Sequence, residues 1–312
     1  AYILPEKNNI IAIGGANVDR KFHIEGTVQF ATSNPAHVTQ TIGGVARNIA
    51  ENLGRLGNQV KLLTTIGDDH DGLYLENNST GYIQLDIVEK LKNEKTGSYS
   101  AILDGHGELV IAMADMSIYK QLTPQLVIKH EAVLQKASCI IIDLNCSTET
   151  VLFVKSFAEL RNIPFVIVPV SSPKMINMPH DLTGVKYFFC NRDEAETYLE
   201  KSLETVQDYR DTVYNLLQKG AEHVVLTMGE FGVIAGTNEG IQHFEAVPVG
   251  RIIDVTGAGD AFVSAFLHGV LNDETFFEAV QLGLTSAAYT LQAEQTVRTD
   301  LTNDELKLWR GL

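Results

Sequence analysis

Residues 254–267 have the sequence DVTGAGDAFVSAFL, in which two glycines stand between two aspartates and small and apolar residues follow. The apolar positions after Asp260 repeat at helical spacing, so the stretch predicts a loop that runs directly into a buried helix. Gly257 and Gly259 let backbone N–H groups turn toward a bound group, and the N-terminus of the following helix favours negative charge at the same place. The sequence therefore predicts an anion-binding loop that leads into a helix.

Asp260 falls in the first turn of that helix, next to the expected anion. A carboxylate in this position can take the proton from a hydroxyl group that attacks a phosphoryl group, so the loop and the carboxylate together suit phosphoryl transfer. An aspartate in a first helical turn is also a common cap that complements the helix dipole, and Gly-x-Gly alone is weak evidence for a ligand site. On this stretch alone both interpretations of Asp260 stay open.

The overall composition is that of a large, acidic globular chain. Its 312 residues are 45% hydrophobic, which suffices for one large α/β domain, and its formal net charge is −15. This charge argues against nucleic acid and against an anionic membrane as partners, because both require clustered Lys and Arg. ATP is still compatible with it, since helix N-termini and a divalent ion supply positive charge locally. The nine histidines form no His-x-x-x-His pattern and predict no zinc site.

Cysteine usage and hydropathy bear on the compartment. Cys139, Cys146 and Cys190 form no Cys-x-x-Cys pair, and an odd number in a long chain suits a reducing environment. The first residues show no signal-peptide pattern, and no stretch reaches the roughly 18 apolar residues of a membrane span. We therefore expect a cytoplasmic protein.

Polar side chains follow the first predicted strand. Residues 9–13 are an apolar run that ends at two glycines, which predicts a buried strand leading into a loop. Asn17 and Asp19 come next, and two side chains two positions apart on extended backbone point to the same side. Both can therefore face a ligand at the carboxyl end of the strand, where open α/β sheets bind their ligands. A pair of Asx turns is the alternative interpretation.

Residues 41–57 have the sequence TIGGVARNIAENLGRLG, which predicts a helix that opens after Gly43 and Gly44. A double glycine permits a ligand to approach the backbone closely, and Asn48 in the first turns of the helix can reach the same ligand. Residues 67–72 then predict another helix, whose first turn is capped by acidic residues.

Two hairpins are predicted outside the alternating helix and strand pattern. Residues 20–42 contain short alternating strands around Ser33 and Asn34, which precede a proline, and residues 98–113 flank the turn at 104–107. Together the two hairpins could form a small sheet that stands off the main body.

The rest of the chain alternates between predicted strands and helices, as in a doubly wound parallel sheet. The predicted strands are 60–66, 139–143, 164–168, 186–190 and 223–227, and the predicted helices are one after Thr123, 148–161, one from Asp193, one through Lys219 and one from Glu274 to about residue 291. There are no repeats, low-complexity segments or charged linkers, so a single domain over residues 1–312 is expected.

Asn191 and Glu194 follow a predicted strand at the start of a helix, which is the pattern of an N-cap with a capping box. Mg²⁺ is usually held by one or two carboxylates, through water, together with substrate phosphates, so the same pair also suits a magnesium site. Both roles can hold together. Thr227, Gly229 and Gly232 lie in a glycine-containing connection between strands.

These motifs together resemble the PfkB, or ribokinase-like, carbohydrate kinases over essentially the whole chain. Residues 254–260 resemble the family's C-terminal signature, and residues 41–57 with Gly67 resemble its N-terminal signature. Residues 191–194 resemble its Asn-x-x-Glu motif, and residues 227–229 resemble its Thr-x-Gly turn. The resemblance implies a ribokinase-like three-layer α/β/α fold with a mostly parallel doubly wound sheet and a small β lid.

The resemblance also implies an ATP-dependent kinase with Mg²⁺ that phosphorylates a primary hydroxyl of a sugar or nucleoside. It implies the following roles: base, Asp260; anion hole, Gly257, Ala258 and Gly259; sugar contacts, Asn17, Asp19, Gly43, Gly44 and Asn48; ATP side, Asn191, Glu194, Thr227, Gly229, Gly232 and Thr256. Glu194 would hold Mg²⁺ through water, and Asp254 and Thr256 lie where many members bind a monovalent cation such as K⁺. The resemblance places the lid at about residues 20–42 and 98–113. Because members of the family often use this lid for dimer contact, it also implies a homodimer. Leu284 departs from the asparagine of ribokinases, which concerns the adenine contacts.

Three segments are more similar to pseudouridine kinases within the family than to ribokinases or fructokinases. They are residues 15–19, residues 33–35 and residues 43–50. Val168 departs from that group, in which an aspartate is common. This similarity predicts phosphorylation of the 5′-hydroxyl of pseudouridine, with Ser33 and Asn34 at the base.

Other acceptors stay open on the sequence. A ribokinase, fructokinase, or adenosine or inosine kinase activity is one alternative, and a phosphosugar acceptor is another because Arg20, Lys21 and Arg47 lie near the expected sugar site. Surface solvation is the commoner role of such charges. A non-catalytic sugar sensor on the same fold is a further alternative, although no helix-turn-helix pattern is present and Asp260 is intact.

Overall fold

The structure is a computed structural model and describes residues 8–252 and 257–311. Within these residues the strands are β1 (Asn9–Ile13), β2 (Asn17–Ile24), β3 (Ala36–Gly43), β4 (Gln59–Leu63), β5 (Thr65–Gly67), β6 (Glu89–Leu91), β7 (Gly97–Leu103), β8 (Leu109–Asp115), β9 (Cys139–Asp143), β10 (Phe165–Val168), β11 (Tyr187–Asn191), β12 (His223–Thr227), β13 (Val233–Thr237) and β14 (Gly240–Phe244). The helices are α1 (Val45–Arg55), α2 (His70–Asn77), α3 (Pro124–Ile128), α4 (Glu131–Leu134), α5 (Thr148–Leu160), α6 (Arg192–Leu199), α7 (Val206–Gln218), α8 (Ala258–Leu271), α9 (Phe276–Leu291) and α10 (Asn303–Trp309). Short 3₁₀ segments are Ser117–Gln121, Ser172–Asn177 and Gly229–Phe231.

The main sheet has eight strands in the order β14-β13-β12-β11-β10-β9-β1-β4. The strands from β12 to β4 pair in parallel, and β13 and β14 pair antiparallel at one edge. The central strands β9 and β10 are buried along their whole length and are apolar except for Asp143 at the end of β9, as expected of parallel strands covered on both faces. The predicted doubly wound, mostly parallel sheet is confirmed.

One predicted strand is wrong in extent. Residues 60–66 were expected to form a single strand, but the chain leaves the main sheet at Thr64. The residues before Thr64 lie in β4 beside β1, whereas those after it lie in β5 and pair with β6 in a separate two-stranded sheet. The apolar pattern is similar on both sides of the break, so only the pairing partner distinguishes the two strands.

Helices cover both faces of the main sheet, which gives three layers. Along β1, Ile11 and Ile13 lie in one hydrophobic cluster with residues of α5 and α7. Ile10 and Ala12 lie in another cluster with residues of α1, α8 and α9. Because successive side chains of a strand point to opposite faces, this alternation places the two helical layers on opposite sides. The predicted α/β/α layering is confirmed.

The two predicted hairpins are present and join into one sheet with the order β3-β2-β7-β8. β2 pairs antiparallel with β3 and in parallel with β7, and β7 pairs antiparallel with β8. Asp19 lies directly opposite Tyr99 of β7, so the two residues share one face of this second sheet. On the other face, Ile102 of β7 pairs with Phe22 of β2 and with Ile111 of β8.

Two predicted helix caps are also confirmed. Asp69 caps α2 by accepting a hydrogen bond from the Gly72 amide, and Thr123 caps α3 ahead of a proline. The three cysteines are free and buried. In residues 8–252 and 257–311, no helix combines the length and apolar character needed to cross a membrane.

Candidate active site

The loop before α8 turns through a glycine with a positive φ angle. Gly257 is the N-cap of α8 with φ 84° and ψ −4°, and a Cβ atom at this position would collide with the carbonyl oxygen of Thr296. Only glycine meets both demands without strain. The turn sets Ala258 and Gly259 at the start of the helix and Asp260 in its first turn. The predicted cation ligands Asp254 and Thr256 lie outside the described residues.

The N-terminal and C-terminal motifs meet at Asp260. Asn48 of α1 donates a hydrogen bond from Nδ2 to Oδ2 of Asp260 at 3.3 Å, although the two residues are 212 positions apart. Burial raises the pKa of Asp260 to about 7, and the nearby Asp143 carboxylate acts in the same direction. The Asn48 hydrogen bond and the Arg47 charge act against this shift. A carboxyl group with a pKa near 7 is suited to act as a base at neutral pH.

Three of the predicted sugar contacts form a cluster at one end of the second sheet. Asn17 donates a hydrogen bond from Nδ2 to Oδ1 of Asp19 at 2.6 Å, and Gly43 pairs with Asn17 across β2 and β3. A Cβ atom on Gly43 would lie 2.5 Å from Oδ2 of Asp19, so glycine leaves this carboxylate its space. Burial raises the pKa of Asp19 to about 6, against the opposing charge of Lys21. The side chains do not form separate Asx turns, because they contact each other.

Asp143 is a buried residue beside the candidate site that was not singled out from the sequence. It stands at the carboxyl end of β9, is buried, and accepts hydrogen bonds from the amides of Gly15 at 2.9 Å, Ala46 at 3.0 Å and Asn145 at 3.0 Å. Burial outweighs these donors and raises the pKa of Asp143. Its carboxylate ties the loop after β1 to the start of α1, and so fixes the elements that carry Asn17 and Asn48. The signal in the sequence is an aspartate at the end of a predicted buried strand.

Gly44 lets α1 begin in close contact with the loop after β1. It has φ 102° and ψ 130°, and a Cβ atom would collide with the backbone of Gly15 and Ala16. The amide of Arg47 donates to the Gly15 carbonyl at 3.2 Å across this contact. Both the backbone angle and the close approach therefore require glycine.

Three of the predicted nucleotide residues line an apolar cavity of about 640 Å³ that also borders the start of α8. Its walls include Thr227, Gly229 and Gly232, which were predicted for the ATP side, and Ala258 and Gly259, which were predicted for the anion hole. Residues of α9 form a further wall, among them the residue at which the chain departs from ribokinases, Leu284. The size and apolar lining suit a planar heterocycle with few polar contacts.

A smaller cavity of about 180 Å³ brings Asp260 together with Asn191, Glu194, Thr227 and Gly259. The capping box is present: the Glu194 amide donates to Oδ1 of Asn191 and the Asn191 amide donates to Oε1 of Glu194, both at 2.9 Å. Burial raises the pKa of Glu194. In the part of the chain that the structure describes, no three His, Cys, Asp or Glu residues are grouped to hold a metal ion by themselves.

Ser33 and Asn34 lie in the exposed turn between β2 and β3, at the opposite end of β2 from Asp19. The five residue-to-residue steps from Asp19 to Ile24 span roughly 17 Å at the usual rise of a strand. The Asn34 side chain exchanges two hydrogen bonds of 2.8 Å with the backbone of Gln29 in its own turn. Their role at the base stays a prediction, and it requires either closure of the hairpin or a second copy of the chain.

Arg20, Lys21 and Arg47, the basic residues considered for a phosphosugar acceptor, do not form a phosphate site together. Arg20 forms an ion pair with Asp71. Arg47 is only 1% exposed and forms an ion pair of 2.6 Å with Glu51. Surface solvation is therefore wrong for Arg47, and Lys21 is the one member of the trio that is exposed without an ion pair in the described structure.

With this geometry established, comparison with known proteins identifies the family. A family model described as pfkB family carbohydrate kinase matches residues 7–303. The chain belongs to the pfkB family of carbohydrate kinases. Membership makes it a phosphotransferase with an alcohol group as acceptor, and it implies a nucleotide as phosphoryl donor.

Individual members of the pfkB family match along nearly the whole chain. The pseudouridine kinase of Escherichia coli (strain K12) is 32% identical over 95% of either protein. The guanosine-inosine kinase of Exiguobacterium acetylicum is 28% identical over 92% of this chain and 96% of its own. A structure of Arabidopsis thaliana ribokinase complexed with ribose and ATP covers 98% of this chain and 99% of its own with a TM-score of 0.85 at 16% identity, which confirms the ribokinase-like fold. The protein is a sugar or nucleoside kinase of the pfkB family.

Proposed function

We propose that this kinase transfers the γ-phosphoryl group of ATP to the 5′-hydroxyl of pseudouridine and forms pseudouridine 5′-phosphate. The observation that carries the proposal is the position of Asp260. It contacts Asn48 of the acceptor side and also borders the cavity that contains Glu194 and Thr227. Similarity to a pseudouridine kinase over 95% of the chain supports the choice of acceptor.

In the proposed reaction, the acceptor is held by the cluster of Asn17, Asp19 and Gly43. The ionised Asp19 carboxylate accepts hydrogen bonds from two ribose hydroxyls, since it lies beside a glycine that leaves it accessible. Asn48 at the start of α1 adds a contact to the sugar and a hydrogen bond to Asp260. Holding the ribose in this way presents its 5′-hydroxyl to Asp260, which removes the proton as the hydroxyl attacks.

The start of α8 stabilises the charge on the transferred phosphoryl group. The backbone N–H groups of Gly257, Ala258 and Gly259 are the free donors of a helix N-terminus, and the helix dipole favours an anion there. Donors that are in place before the reaction stabilise the developing charge without reorganisation. The adenosine part of ATP occupies the apolar cavity of about 640 Å³ beside them.

Glu194 fits a divalent ion held through water. Its Oε1 atom accepts the Asn191 amide hydrogen bond, so Oε2 is the atom left for a water-mediated contact with Mg²⁺ on the ATP phosphates. When bound, Mg²⁺ neutralises phosphate charge. We further propose that Asp254 and Thr256 bind a monovalent cation such as K⁺, as in many members of the family.

We also propose that the protein is a homodimer that associates through the second sheet. One face of that sheet exposes apolar side chains, with Val38, Ile111 and Met113 each more than half exposed at 51%, 53% and 55%. Contiguous exposed apolar groups of this kind mark interaction surfaces. A second copy covers such a face by the same contacts on both sides.

The acceptor is tested by measuring ATP consumption with a panel of acceptors. Pseudouridine, uridine, inosine, guanosine, ribose and fructose are compared at equal concentration, and kcat/KM is determined for each. The proposal expects the highest kcat/KM for pseudouridine, with uridine much lower because it lacks the second ring N–H group. A higher value for ribose or fructose, or for inosine and guanosine, would refute pseudouridine as the acceptor and leave a pfkB kinase of another specificity.

A further inference from the structure

We propose that Arg47 is a positioning residue for the catalytic Asp260. The Arg47 guanidinium fixes the Asn48 side-chain amide in the one orientation that donates a hydrogen bond to the Asp260 carboxylate. This inference rests on the proposed role of Asp260 as the base. Arg47 does not touch the reacting atoms; it acts through the Asn48 side chain and through its charge.

Arg47 is held rigidly inside the protein. It is only 1% exposed, and a buried guanidinium requires partners for its donors. Its Nη2 atom donates to Oε1 of Glu51 at 2.6 Å, and its Nε atom donates to Oγ of Ser79 at 3.4 Å. Glu51 is itself fixed by Nε of Arg55 at 3.3 Å. The remaining arm of the guanidinium therefore has a defined direction.

That remaining arm sets the orientation of Asn48. Nη1 of Arg47 donates to Oδ1 of Asn48 at 3.2 Å, and Nδ2 of Asn48 donates to Oδ2 of Asp260 at 3.3 Å. A guanidinium can only donate and an ionised carboxylate can only accept, so the guanidinium binds the oxygen of the amide and the carboxylate binds its nitrogen. Reversing the amide would place two donors together and two acceptors together. Without Arg47, the Asp260 carboxylate is the only one of these two partners that still opposes the reversal.

The charge of Arg47 matters at the same place. Asp260 faces carboxylates on two other elements, Asp143 at the end of β9 and Glu194 in α6, and both raise its pKa. Arg47 on α1 is the cation that acts in the opposite direction. Removing it should raise the pKa of Asp260 further. Arg47 and Glu51 are also an i, i+4 pair that stabilises a helix, and that purely structural role is the alternative to be separated.

A double-mutant cycle separates the two roles. Arg47→Met, Asn48→Ala and the double variant are compared by kcat at a pH above the acid limb of every variant, where the effect of the Arg47 charge on the pKa of Asp260 does not contribute. The kcat is measured as ATP turnover at saturating concentrations of the best acceptor in the panel, with Tm recorded in parallel. If Arg47 acts through Asn48, Arg47→Met lowers kcat by roughly tenfold, the scale of one hydrogen bond. The double variant then has the kcat of Asn48→Ala, because the shared path is already broken. The proposal would be overturned if the factors by which the two single variants lower kcat multiply in the double variant. Wild-type kcat in Arg47→Met would also overturn it.

Two further measurements make the test independent of the stability of one variant. The acid limb of the kcat profile against pH should move to higher pH in Arg47→Met, whereas a structural defect lowers kcat equally at every pH. Arg47→Lys retains the charge but not the planar fork, so it should lower kcat and keep the acid limb in place. Wild-type kcat in Arg47→Lys would overturn the proposal even if Arg47→Met does not fold.

Ser79→Ala is the matched control, since it removes the longest of the three contacts of Arg47 and leaves its hydrogen bonds to Glu51 and Asn48 in place. It should keep wild-type kcat, and a fall equal to that of Arg47→Met would also count against the proposal. Failure of every acceptor in the panel to consume ATP refutes the proposed function. If the enzyme is active but the two single-variant losses in kcat multiply in the double variant, only the role of Arg47 is refuted.

Discussion

Two carboxyl groups of the site, Asp19 and Asp260, have pKa values raised by burial, and each shift has a measurable consequence. The pKa of Asp19 is about 6 and that of Asp260 is about 7. An acceptor that donates its hydroxyl hydrogens to Asp19 needs the ionised form, whereas a stable fold favours the neutral form of a buried acid. Function and stability therefore depend on pH in opposite ways.

Acceptor binding should weaken as Asp19 takes up a proton. Below a pKa of about 6 the ionised fraction falls tenfold per pH unit, so the acceptor Kd at pH 5 should be about tenfold higher than at pH 7.5. Calorimetry without ATP measures this Kd. Asp19→Asn should bind weakly at both pH values, and Asp260→Asn should keep the dependence. A Kd that does not change with pH would contradict the role of Asp19.

Asp260 should destabilise the fold at neutral and alkaline pH. Its folded pKa of about 7 lies above the ordinary value of 3.8. The contribution of the neutral Asp260 side chain to the free energy of unfolding is therefore complete below about pH 4 and is lost as pH rises toward 7. Asparagine does not titrate. The free energy of unfolding of Asp260→Asn, taken relative to that of the wild type, should therefore be on the order of 2 kcal/mol larger at pH 8 than at pH 5. Urea unfolding at both pH values tests this. An equal difference at the two pH values would contradict the raised pKa.

The strands and helices that position these groups could largely be predicted from local sequence. β9 and β12 are apolar runs with polar ends, and α8 follows a glycine loop, so pattern alone predicts them. The break at Thr64 could not be predicted, because pairing with β6 decides it. The role of Asp143 could not be predicted either, since its partners Gly15 and Ala46 are 128 and 97 residues away. The burial of Arg47 likewise depends on distant contacts.

The start of α1 offers a test of the close contact between elements. Gly44 and Gly57 have similar positive φ angles of 102° and 98°, but only Gly44 has backbone atoms where a Cβ would stand. Gly57→Ala measures the cost of the angle alone. Gly44→Ala should cost at least about 1 to 3 kcal/mol more, the usual range for forcing extra atoms into a packed site. If urea unfolding shows equal losses of stability in the two variants, the backbone around Gly15 must adjust to the added Cβ at little cost.

The protein as a whole combines a three-layer body with a second sheet that exposes apolar side chains on one face. If a second copy covers that face, a charge placed in it should separate the dimer, because an unpaired charge is costly to bury. Ile111→Asp should sediment as a monomer at concentrations where the wild type is a dimer. Leu160→Asp is the matched control, since Leu160 is 81% exposed on α5. A monomeric wild type, or a dimer that tolerates Ile111→Asp, would contradict the proposed association.

The central claim is that Asp260 is the base of a phosphoryl transfer between the acceptor cluster and the nucleotide cavity. Turnover of Asp260→Asn with the best acceptor of the panel tests it most directly, with ATP affinity measured on the same preparation. The account predicts that kcat falls by a factor on the order of 10² to 10⁴ while ATP affinity and folding are retained, since the variant loses only the proton acceptor. Near-normal kcat in Asp260→Asn would contradict it.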